Sequence, residues 1–155
     1  MQSLGFRGEA LHSLSVVASS VEISTKHIDS ELGTCLLFKF GKLESQKKIQ
    51  RNNGTTVTVS GLFYNLPVRK IEMNNNIKRD FSKLLTLLYS YAIISSSRFS
   101  CSHKTQKNIE LFRTLGNSLK SNAVDLFGVE SGTSLVELQN RVLIEDAEYE
   151  YICLN

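Results

Sequence analysis

The chain has 155 residues, enough for one hydrophobic core or for parts of two. A hydrophobic fraction of 41% and a charged fraction of 21% are those of an ordinary soluble globular protein, and no apolar run is long enough to span a bilayer. Lys and Arg number 18 against 15 Asp and Glu, and the net charge of +3 permits a polyanionic partner without demanding one. The N-terminus lacks a basic stretch followed by an apolar one, so a secretory leader is not expected. Cys35, Cys101 and Cys153 are odd in number and widely spaced. They read as reduced thiols of a cytosolic or nuclear protein rather than as a disulfide framework or a zinc site.

In chain order, glycines punctuate Gly5-Phe6-Arg7-Gly8, and Leu11, Leu14, Val17 and Ala18 then recur at helical spacing. A glycine loop opening a helix is predicted here. Val21 to Thr25 alternates as a strand, residues 34–40 form a second, and Gly41-Lys42 is the expected turn into Ile49-Gln50. After Gly54, Thr55-Thr56-Val57-Thr58-Val59 is a β-branched run with Val57 and Val59 on one face. Phe63-Tyr64-Asn65-Leu66-Pro67, with the only proline, ends this region. Three asparagines, Asn74, Asn75 and Asn76, mark an expected boundary. Beyond them Ile77, Phe81, Leu84, Leu85, Leu88, Tyr91 and Ala92 trace a helical stripe over residues 76–95. Residues 99–103 and 109–114 read as strands, residues 119–127 as a helix capped by Gly128, and residues 135–138 and 149–154 as weaker strands. The pattern is α+β, an antiparallel sheet with a helical layer on one face.

The chemistry concentrates near the start. Glycines on either side of Phe6-Arg7 let the backbone turn sharply and approach a ligand with no Cβ in the way. The helix that follows offers unpaired N–H groups and a positive dipole end, which suits a phosphate chain, and Arg7 can add a charge-assisted contact. By spacing alone a loop that merely caps a helix explains the same residues, and Thr55 and Thr56 are equally explained by strand propensity. His12, His27 and His103 have no partner at a ligand or catalytic spacing. Arg69, Lys70, Lys78, Arg79 and Lys83 crowd the stretch around the asparagines, as either a solvated helix face or a set of contacts to a DNA backbone.

Resemblance adds to this reading. Ser3-Leu4-Gly5-Phe6-Arg7-Gly8-Glu9-Ala10-Leu11 resembles the third signature motif of MutL-type DNA mismatch-repair proteins, the ATP lid of the GHKL (Bergerat-fold) ATPases. Gly54-Thr55-Thr56-Val57-Thr58-Val59, with Leu62-Phe63-Tyr64-Asn65-Leu66-Pro67-Val68-Arg69-Lys70, resembles the fourth motif and the segment leaving the ATPase subdomain. Arg7-Gly8-Glu9 inside the lid is particular to MutL, and residues 76–102 resemble the eukaryotic postmeiotic-segregation branch.

The resemblance implies the later part of a Bergerat ATPase subdomain over residues 1–73. The start of a ribosomal-protein-like second subdomain is implied over residues 74–155. It implies that the amides of Gly5, Phe6, Arg7, Gly8, Glu9, Ala10 and Leu11 wrap a triphosphate, with Thr55 and Thr56 on the sheet floor nearby. The implied cofactors are ATP and magnesium. The implied partners are a second MutL homologue, double-stranded DNA and a MutS-type recognition protein, in the nucleus, with Arg69, Lys70, Lys78, Arg79 and Lys83 on the DNA. The family's general-base Glu, its magnesium-binding Asn and its adenine-reading Asp-Gly pair lie upstream of the lid. No catalytic residue and no metal ligand is therefore assigned in this chain, and turnover by it alone is not expected. A DNA-binding or dimerisation module that needs no nucleotide, or another GHKL ATPase, are the competing readings.

Overall fold

The computed structural model describes residues 7–133, 137–144 and 147–154. The chain is α+β, as expected, and forms two compact units, Met1–Ile77 and Lys78–Asn155. Among the described residues no helix is long and apolar enough to cross a membrane.

In the first unit, helix α1 (Glu9–Val17) runs directly into strand β1 (Ala18–Lys26). Strands β2 (Gly33–Lys39), β3 (Lys42–Ile49) and β4 (Gly54–Leu62) complete an antiparallel sheet of order β3-β2-β1-β4. Register decides which side chains share a face. Val21 lies opposite Phe38 and Val59, and Ile23 opposite Leu36 and Val57, so these residues gather on one side. Helix α1 packs on that side, where Ser15 of the helix and Val21 of the sheet are withdrawn from water, as is Ala18 at the helix–strand junction. The other side carries Ser20, Glu22, Ser24, Thr56, Thr58 and Ser60, a polar surface.

The β2–β3 turn is Phe40-Gly41 rather than Gly41-Lys42, because Lys39 pairs with Lys42 across the ladder. Both turn residues have positive φ, 53° and 76°, the two-residue type I′ geometry whose twist matches that of the flanking strands. Strand β3 begins at once after the turn. Its Lys and Gln residues hide the alternation in the sequence, since charge is common on an edge strand.

Helix α2 (Pro67–Ile94) starts nine residues before the predicted 76, and the second unit begins within it at Lys78. Proline suits a first helical position, where its missing N–H has no intrahelical partner to lose. The asparagines at 74–76 do not break the helix. Asn76 instead donates from Nδ2 to the Glu72 carbonyl at 3.0 Å, one turn back.

In the second unit, β5 (Phe99–Lys104) pairs antiparallel with β6 (Asn108–Thr114), followed by α3 (Leu119–Phe127) and α4 (Val129–Thr133). Phe112 stacks 5.9 Å from Phe99 and 4.9 Å from Tyr89, which also meets Phe127 edge-on. Ser118 caps α3 by accepting from Ser121 N at 3.1 Å, and Gly128, with φ 86°, closes it as expected. The weak strands expected near the C-terminus are β7 (Glu137–Ile144) and β8 (Ala147–Leu154), a separate antiparallel pair. Residues 135 and 136, expected in the first of them, lie outside the described residues.

Candidate functional site

The head of α1 has an unusual backbone. Arg7 and Gly8 are both left-handed, with φ 46° and 84°, and together they swing the chain into the helix. A Cβ on Gly8 would meet nothing within 4 Å, so glycine is needed there for its φ and not for space. No side chain caps the helix, and the first intrahelical bond runs from His12 N to the Gly8 carbonyl at 2.9 Å. The amides of Glu9, Ala10 and Leu11 therefore precede the helical ladder and face outward with the positive end of the dipole.

Two concavities meet at this head. One, of about 460 Å³, is lined by Arg7, Gly8, Glu9, His12 and Ser13. The other, of about 270 Å³, runs between helix and sheet, with Gly8, Leu11, His12 and Ser15 above Val21, Ile23 and Phe38. The first offers amides, the Arg7 cation and the Ser13 hydroxyl beside the Glu9 carboxylate, and the second an apolar floor. An anion with an apolar attachment is what such a pair of surfaces can hold. His12 borders both, although its lone position in the sequence reads as an ordinary surface side chain. Among the described residues no three His, Cys, Asp or Glu gather as a metal site would require.

The predicted site residues fall into place unevenly. Gly5 and Phe6 lie outside the described residues. Arg7, Gly8, Glu9, Ala10 and Leu11 form the exposed head of α1. Thr55 shares the helix-bearing face of the sheet, where its hydroxyl meets that of Thr25 at 2.7 Å. Thr56 points to the opposite side and accepts from Arg51 Nη2 at 3.1 Å. The two threonines therefore do not look into one site. Arg69 and Lys70 are exposed in the first turns of α2. In the second unit Arg79 and Lys83, four residues apart, share a side of the helix, while Lys78 stands off by about 100°. Arg79 is also held by Asp80 at 3.3 Å.

Sequence reasoning missed Arg51. Its guanidinium reaches the Ser24 carbonyl and Thr56, and its Nε donates to the Asn52 carbonyl at 3.1 Å, which pins the β3–β4 loop to two strands. A lone arginine in a polar loop gives no local signal of such a clamp.

No protein-family model matches the chain. Individual relatives do. The DNA mismatch repair protein PMS1 of Arabidopsis thaliana is 44% identical over 141 residues, covering 87% of this chain and 15% of that protein. The human mismatch repair endonuclease PMS2 is 40% identical over 88% of the chain and 16% of its own length. A MutL of Chloroherpeton thalassium is 31% identical, again over 88% of the chain and 21% of the relative. The chain belongs to the MutL family, in its PMS branch. It spans about a sixth of the PMS relatives it matches. Among solved structures, an N-terminal domain of a DNA repair protein superposes with a TM-score of 0.79 at 37% identity, over 91% of this chain and 43% of that one. The ATPase domain of Aquifex aeolicus MutL complexed with ADP gives 0.68 at 24% identity, over 86% of this chain and 52% of the other, a likeness of fold. The fold is thus that of a MutL-type ATPase domain, and the motifs singled out in the sequence sit on it as a helix head and a sheet strand.

Proposed function

We propose that this MutL-type chain supplies the ATP lid and part of the sheet floor of a mismatch-repair ATPase, and that nucleotide on the lid drives pairing of two N-terminal domains around double-stranded DNA. The observation that carries the reading is the head of α1. Two left-handed residues in succession present uncapped amides and Arg7 to a concavity of about 460 Å³, at the place the lid motif occupies in the sequence. Phosphate oxygens would accept from the N–H groups of Gly8, Glu9, Ala10 and Leu11 without any reorganisation of the helix. Arg7 would add a charge-assisted bond, and the amides of Gly5 and Phe6, which precede it in the motif, belong to the same proposal. Thr55, on the helix-bearing face of the sheet, would approach the nucleotide, and Thr56 would act through the strand it braces.

Magnesium would travel with the triphosphate. The described residues around the lid offer Glu9 alone as an acidic ligand, so their share of the work is to bind and orient phosphate. A lid that closes only when γ-phosphate is present is an order–disorder switch, which can bias assembly with a second MutL homologue. Arg69 and Lys70, and in the second unit Lys78, Arg79 and Lys83, are the cations available to a DNA backbone. A MutS-type recognition protein upstream, a nuclear location and a ribosomal-protein-like second subdomain complete the proposal.

Amide hydrogen exchange in the full-length protein tests it. With saturating ATP and magnesium, exchange at Glu9, Ala10 and Leu11 should slow about tenfold or more. Exchange rates at these three amides that ignore the nucleotide would remove the lid assignment.

A further inference from the structure

The opposite end of the first unit carries a second unusual feature. The β2–β3 turn places Phe40 at φ 53°, in a type I′ position where a side chain is costly and Asn, Asp or Gly is favoured. Burial does not explain the choice, because Phe40 is 57% exposed. Its ring lies 4.8 Å from that of Tyr64, centroid to centroid, with the planes 47° apart. Tyr64 is itself 37% exposed and follows Phe63, another left-handed residue with φ 58°. The C-terminal end of α1 reaches the same turn, since a Cβ on Gly41 would sit 3.4 Å from Val16 Cγ2. A helix end, a hairpin tip and the β4–α2 connection thus converge on an aromatic step that faces water.

The charges around it have one predominant sign. Lys39 and Lys42 flank the turn, and Arg69 and Lys70 open α2 just after the short turn that follows Tyr64. Against these four cations stand Glu44, held by Lys39 at 3.6 Å, and Glu72. Lys42 keeps its charge for a partner, with no ion pair of its own among the described residues.

An exposed ring edged by cations matches the chemistry of an unstacked base followed by its phosphates. A duplex keeps its base faces stacked on one another, so an aromatic step finds no free face there unless the duplex is unstacked. We propose that the Phe40–Tyr64 step is a stacking site for an unpaired base of single-stranded DNA, with Lys42 on the adjoining phosphate. This goes beyond the lid and the double-stranded DNA proposed above. It uses a different end of the sheet and does not depend on nucleotide binding.

These 155 residues contain no tryptophan, so Phe40→Trp places a new indole at the step, read as the difference in emission from the native full-length protein. Titration of that variant with a short oligothymidylate should quench its emission saturably, and a duplex of equal length should not. Phe40→Asn suits the turn better than the native residue, so its thermal unfolding midpoint should hold or rise. Its affinity for the single strand should fall about tenfold, with duplex affinity and nucleotide protection at α1 unchanged. Phe40→Tyr should keep single-strand affinity near the native value. Emission that stays unquenched at saturating strand would overturn the proposal. So would unaltered single-strand affinity in Phe40→Asn, or a parallel loss for single and double strands.

Discussion

Among the described residues of the first unit the side chains taken out of water are small, namely Ser15, Ala18 and Val21, while Val57, Val59 and Leu11 on the helix-bearing side of the sheet stay substantially exposed. In the second unit Phe112 is buried in a ring cluster with Tyr89, Phe99 and Phe127, and the polar Asn122 is only 1% exposed. The first unit is held chiefly by strand ladders and keeps an apolar floor accessible. The second is held by interlocked side chains around Phe112 and Asn122. That difference separates what a substitution should do in each. Changes in the second unit should be felt in folding, and changes around α1 and the hairpin tip should be felt first in binding.

The sharpest test of this contrast is Asn122. Its Nδ2 donates to the Ile93 and Ser95 carbonyls at 2.9 and 3.0 Å, and its Oδ1 accepts from Gly116 N at 3.1 Å. One amide therefore ties the end of α2 to the β6–α3 turn. Asn122→Ala strands those three backbone groups in a place water does not reach, and should cost about 3–4 kcal/mol. A urea unfolding curve measures it, and a loss below about 1 kcal/mol would mean that the second unit is not knit this way.

Gly8→Ala makes the matching change in the first unit. The new methyl has open space, so only the left-handed φ of 84° is penalised, at about 1–2 kcal/mol. The same unfolding measurement should therefore show a smaller loss than Asn122→Ala. A larger one would show that the α1 head supports the fold as well as a ligand.

Much of the fold was legible in the sequence for reasons that these residues make plain. Leu11, Leu14 and Val17 at helical spacing gave α1, and the β-branched run after Gly54 gave β4. Those signals are local. The start of α2 was hidden because an asparagine triplet usually ends a helix, and nothing nearby announces that Asn76 will bond back to Glu72. The turn was displaced by one residue because Gly41 is the obvious left-handed position and Phe40 is not. At the site, Arg7 and Gly8 were readable as a motif. Thr55 and Thr56 were read together as sheet-floor residues, although adjacent strand residues face opposite ways and only Thr55 shares the side of α1. Arg51 and Asn122 were not, because their roles exist only once distant strands and helices have come together.

The smallest expected effect concerns a salt bridge made possible by an irregular ladder. Cys101 pairs with Phe112 and Ser102 with Glu110, so Leu111 is the extra residue of a bulge. Without that bulge Glu110 and Arg113, three apart on one strand, would face opposite ways. With it they share a side, and Arg113 Nε donates to Glu110 Oε1 at 3.1 Å, with a second bond from Nη2 to Oε2. The hydrogen bond from Arg113, reinforced by its charge, holds the Glu110 carboxyl below the usual carboxylate range. A folded-state pKa lowered in this way adds stability above the unfolded value of about 4.3, and that stability is lost as pH falls through the lowered value. The pair lies in water and is screened by salt, so its contribution is slight. Glu110→Gln should accordingly lower the urea midpoint a little at pH 7, and the difference from the native chain should vanish under acid or high salt. An equal difference at every pH would assign the effect to the shape of the bulge rather than to the charge on Glu110.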